Sequence, residues 1–237
     1  MIALMSRRAL VAFALAAVLY GPSAAAAQDA PNDQALLENL TLLRGRLETA
    51  RELIRLGHGD IALKRHLGDN LNGRVASIES EVQARKLQPI EPEMKALVPA
   101  AGNAATFDAA FAKVNASLAK IEGAIPAEKL ASPKFLAGVL SNVVAHAAVD
   151  YRAGVKDGKI VIIKEYEEIF GYDRAVVALW KARLQPALGA KSPELADAFT
   201  KLSAAVPSPV PPEKIELTPE AFEAISMTVK AEANKLP

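Results

Sequence analysis

Leu36, Leu40, Leu43, Leu47, Ala50 and Ile54 recur in alternating steps of four and three. That spacing holds six apolar side chains on one face of a long α-helix, a face that must be buried against other elements. Gly57 and Gly59 break the run. A second series, Leu67, Leu71, Val75, Ile78 and Val82, gives the inner face of another helix, which Pro89 and Pro92 stop. Downstream, Ser132-Pro133, Ser192-Pro193 and Thr218-Pro219 each place a hydroxyl at an N-cap and proline at the first helical position, where its missing N–H costs nothing. Helices are expected over 33–56, 60–86, 106–122, 133–155, 164–185, 193–205 and 219–233. Lys159 to Ile163 alone has strand-like composition, and it is too short to make a sheet. The expected fold class is all-α, an antiparallel helical bundle of about seven helices.

The chain's ends set its organisation. Arg7 and Arg8 precede an uncharged run from Ala9 to Tyr20, followed by a small-residue tract ending at Ala27. This is the pattern of a cleaved signal peptide over residues 1–27, too short in its apolar part to span a bilayer. The expected product is exported to the periplasm and starts at Gln28. A bundle over 28–205 precedes a Pro-rich linker and C-terminal helix over 206–237. The linker "PSPVPP", Pro207 to Pro212, is stiff and extended, so the last helix either packs back across the bundle or stands off from it.

Losing Arg7 and Arg8 leaves 26 basic against 27 acidic residues, a net charge of −1. Interspersed charges near neutrality argue against nucleic acid and against a polybasic membrane surface. There are no cysteines, which excludes covalently attached haem, Cys-ligated zinc and thiol chemistry. No segment of the mature chain is long and apolar enough to span a membrane.

The stretch "HAAVDYRAGVKDGKIVIIKEYEE", residues 146–168, carries the candidate chemistry. Asn142, His146 and Asp150 follow at i, i+4 and i+8, along one ridge of an apolar helix. Imidazole and carboxylate one turn apart suit a first-row metal ion. They equally suit a metal-free polar seam in which His146 donates to Asp150 and Asn142 completes the network. Asp157-Gly158 supplies a tight reversal, after which Glu165, Glu167 and Glu168 open the next helix, where carboxylates also complement the dipole. If the two helices fold back antiparallel, Glu165 or Glu168 approaches Asp150 or His146.

A calcium loop does not fit, since Ala153, Val155 and Lys164 would occupy carboxylate positions. In a second histidine region, His58 lies in a Gly-flanked loop with Asp60, where a solvated ring is expected, while His66 and Asp69 are i, i+3 on the following helix; the two histidines converge only if the loop folds back. No nucleophile elbow or phosphate-binding glycine loop is present, and the chain is read as non-enzymatic.

The segment "VVAHAAVDYRAGVKDGKIVIIKEYEE" resembles the periplasmic helical region associated with bacterial high-affinity iron permeases, and "ARELIRLGHGDIALKRHL" resembles another piece of such proteins. The resemblance carries Asp150, Tyr151, Asp157, Gly158, Glu165 and Tyr166 onto a shared motif. Gly158 and the tyrosines serve equally as fold determinants, the tyrosine hydroxyls then reaching the surface. The permease's own Arg-Glu-x-x-Glu motif is missing, because "RELIR" ends in arginine. The His-x-x-Glu motif of imelysin-like proteins is matched by neither His146 nor His66. The resemblance implies metal uptake, with iron favoured as the ion, and a membrane permease or another periplasmic protein as partner. The expected ligands are His146, Asp150, Glu165 and Glu168, with Asn142 behind them. The alternative is a metal-free periplasmic scaffold or partner-binding module.

Overall fold

The computed structural model describes residues 32–188 and 192–237, apart from the side chains of residues 69–72. The expected leader at 1–27 lies outside the described residues, as do the Asp69 and Leu71 side chains.

The elements are α1 (Asp33–Arg55), α2 (Gly59–Arg65), α3 (Asp69–Ala84), α4 (Glu91–Ala100), α5 (Ala104–Glu122), α6 (Ala127–Leu130), α7 (Pro133–Gly154), β1 (Val155–Lys156), β2 (Lys159–Ile160), α8 (Ile163–Leu179), a π-helical turn (Trp180–Leu184), α9 (Gln185–Leu188), α10 (Pro193–Ala205) and α11 (Pro219–Asn234). The chain is an all-α bundle. Every member of the Leu36-to-Ile54 series is buried, and α1 touches α2, α3, α5, α7 and α8, which makes it the central helix.

Helices α1 and α8 meet backbone to backbone. A Cβ on Gly171 would lie 1.9 Å from the Gly45 carbonyl oxygen and 2.4 Å from Thr49 Oγ1. Thr49 Oγ1 uses that proximity to donate to the Glu167 carbonyl at 3.1 Å. Only hydrogen at positions 45 and 171 lets the two backbones meet in this way.

Several boundaries differ from the sequence expectation for local reasons. The helix expected over 60–86 is two helices, because Gly68 takes φ +65 and ψ −138, a conformation closed to most side chains. Pro92 does not only close off what precedes it, since it falls in the first turn of α4, a helix the periodicity missed. Ser132 and Thr218 accept from the backbone N–H groups of Phe135 and Ala221, as N-caps should. Ser192 precedes α10 but makes no side-chain cap bond. The helix expected over 164–185 contains the π-turn, where the Gln185 N–H bonds to the Trp180 carbonyl and Pro186 has no N–H to offer.

The last helix packs back. α11 lies along α7, with Tyr151 stacked on Phe222 at 4.8 Å between ring centres. The Tyr151 hydroxyl is not at the surface, as expected from sequence, but donates to the Leu217 carbonyl of the linker at 2.7 Å.

Candidate metal centre

Lys159 to Ile163 does more than the sequence suggested. Val155 pairs with Ile160 and Lys156 with Lys159 in an antiparallel two-residue ladder. Asp157 at φ 52 and Gly158 at φ 69 form its turn, the double positive φ of a type I′ reversal. The hairpin sends α8 back beside α7. Gly154 permits the close approach: a Cβ there would stand 3.0 Å from the Glu165 Cβ. Its carbonyl accepts from the Val161 N–H at 2.7 Å.

This junction brings Asp150, Glu165 and Glu168 together. One carboxylate oxygen from each lies within 4.8 Å of the others, with Glu168 buried and the other two half-buried. Glu168 Oε2 accepts from Arg46 Nη2 at 3.0 Å and from the Tyr172 hydroxyl at 2.9 Å. Its Oε1 has Lys164 Nζ at 3.1 Å but is buried without a hydrogen bond of good geometry.

Three carboxylates so close cannot all ionise freely. Burial, then the Glu168 charge, pushes Asp150 up to about 6 against the pull of Arg46, Lys164 and Arg74. Burial and the charges of Glu168 and Asp150 raise Glu165 as well. Burial would raise Glu168 too, but Arg46, Lys164 and the Tyr172 hydroxyl outweigh it and hold its carboxyl below the ordinary value.

His146 stands at the rim. Its Nε2 is 3.3 Å from Asp150 Oδ2, and its ring lies 5.8 Å from that of Tyr172. Burial, then Arg74 and Arg46, lowers its pKa, so at neutral pH the ring is uncharged. Arg74 Nη2 lies 3.4 Å from the same Nε2, placed to donate to it. Asn142 does not complete this network, because its Nδ2 donates to Glu38 of α1 at 2.6 Å.

The second histidine region does not join the first. His66 is buried, with Nε2 2.9 Å from Glu167 Oε2. The other Glu167 oxygen pairs with Arg65, and His66 Nδ1 is buried without a partner. His58 occupies the N-cap of α2 and makes no side-chain cap bond. Sequence reasoning gave Glu167 only a dipole role, since its partner is 101 residues away. It also missed Arg46 and Arg74, which carry no local signal. Lys164 and Tyr172, four residues either side of Glu168, were legible from helical spacing alone.

Residues 126–236 match the family model of the iron permease-associated 4-helix bundle domain. That span contains all four candidate residues, and the match indicates no enzymatic family. No curated protein and no solved structure matches the chain. The matched segment takes in α6 to α11, so Arg46 and Arg74, whose charges act on Asp150, come from α1 and α3 outside it. No helix among the described residues is long and apolar enough to cross a membrane.

Proposed function

We propose that the α7–α8 junction binds a hard first-row metal ion, iron by preference, on an exported helical protein that serves a membrane permease. The observation that carries this reading is the convergence of Asp150, Glu165 and Glu168 with a buried, hydrogen-bond-deficient oxygen on Glu168. The proton that Asp150 retains up to about pH 6 means the cluster lacks positive charge, and a cation supplies it. Carboxylates are hard donors. His146 adds a neutral imidazole at the rim, a donor that also suits iron, once Arg74 swings away from Nε2. The permease partner, the preference for iron and export rest on the family match and on the leader pattern in the sequence.

The test is thermal unfolding of the metal-stripped mature chain, then with ferrous, ferric, manganous, zinc and calcium ions added singly. A bound ion at a hundred times its dissociation constant adds about 2.7 kcal/mol to the folded state. The reading expects a selective upward shift that Glu165→Gln abolishes and His146→Ala weakens. A flat response to every ion ends it.

A second reading has its own observation. Arg46, Lys164 and Tyr172 already surround Glu168, which suits a metal-free scaffold whose polar junction fixes helix register. That reading expects Glu168→Gln to lower stability while every metal titration stays flat.

A further inference from the structure

We propose that the hairpin and the segment behind it, Lys156 to Ile163, insert peripherally into an anionic phospholipid surface. Val161, Ile162 and Ile163 are exposed in succession, at 52%, 46% and 42%. Single exposed aliphatics are ordinary, but an uninterrupted run of three between the hairpin and the first residue of α8 marks a surface that is covered in use.

The backbone says what kind of cover fits. Ile162 is extended, at φ −129 and ψ 100, so neighbouring side chains leave the chain on opposite sides. A flat protein face reaches alternate residues of such a segment. A fluid acyl layer surrounds all of them.

The charges agree. Lys156 and Lys159 are register partners across the ladder, both exposed, and neither belongs to an ion pair or side-chain hydrogen bond found among the described residues. Like charges directly opposite one another weaken a strand pair, a cost that anionic headgroups reverse. The chain as a whole is too near neutrality to adsorb by charge. Aliphatic insertion and the two lysines therefore share the binding, the lysines adding about fivefold each. The same hairpin joins the two helix ends that hold the carboxylates, so insertion sets that cluster close to the membrane. The proposal stands whether or not a metal binds.

Flotation of the mature chain with vesicles of phosphatidylethanolamine and phosphatidylglycerol tests it, with pure phosphatidylcholine as comparison. The chain should float with the anionic vesicles and much less with the zwitterionic ones. Val161→Ser/Ile162→Ser should lose on the order of tenfold in binding, and Lys156→Ser and Lys159→Ser about fivefold each, all at an unchanged melting temperature. Absence of flotation by the wild-type chain overturns the proposal, as does undiminished flotation of the Val161→Ser/Ile162→Ser variant. Flotation only with vesicles that carry native membrane proteins also overturns it, in favour of a protein partner.

Discussion

Asp150 sits where ligand chemistry and stability oppose each other. Its carboxyl has a folded-state pKa of about 6 against an ordinary 3.8, so the folded protein holds a proton there that the unfolded chain releases. Stability from this group therefore falls as pH rises from about 4 through 6, and is restored below about 4, where both states are protonated. Asp150→Asn should raise the stability of the metal-free protein at pH 7 by about 1 kcal/mol, allowing for the group's partial exposure. The difference should vanish near pH 4, and the same variant should lose any metal-dependent shift. Urea titrations at the two pH values check both signs. This residue was visible in the sequence because its partners are local: His146 one turn before it, Glu165 and Glu168 just past a turn that Asp157-Gly158 announces. Arg46 and Arg74 were not, since the packing of α1 and α3 on the junction, and no pattern near residue 150, puts them there.

At the scale of elements, the periodic apolar runs located the main helices, and the exceptions lay at glycine and proline. Gly68 divides one expected helix by conformation, Pro92 begins one that it was expected only to exclude, and Pro186 accompanies a π-turn. Glycine spacing did not reveal the α1–α8 crossing, because Gly45 and Gly171 are ordinary on their own helices and matter only to each other. Gly171→Ala should cost about 3 kcal/mol, since its Cβ would have to displace the Gly45 carbonyl or the Thr49 hydroxyl. Gly73→Ala is the contrasting case. That exposed position inside α3 has open space around it, and alanine there should gain about 0.5–1 kcal/mol from helix propensity. Chemical denaturation of the two variants separates a steric limit from a conformational preference. Equal effects would mean that the α1–α8 contact is slack.

In the whole molecule, the junction is held from both sides. Asp150 and Tyr151 are neighbours, as are Glu165 and Tyr166, and in each pair the acid joins the carboxylate cluster while the tyrosine is buried. Tyr151 meets Phe222 and the Leu217 carbonyl, and Tyr166 lines a cavity of about 780 Å³ walled by α10, the linker and α11. The sequence left open whether the last helix packs or stands off, because a stiff linker permits either. The structure joins it to the very helix that carries His146 and Asp150. A chain ending at Ala205 would strip Phe222 and Val229, both fully buried, from α7 and its surroundings. It should lose roughly 5 kcal/mol, a large part of a typical domain's ~5–15 kcal/mol. Its melting should become shallow, and any metal-dependent shift should disappear with the register of α7 against α8. Tyr151→Phe isolates the linker bond alone, costing about 1 kcal/mol while sparing the metal response. If the shortened chain instead melts as sharply as the full one and still responds to metal, residues 32–205 hold the junction unaided. The linker and α11 would then be serving the cavity they enclose.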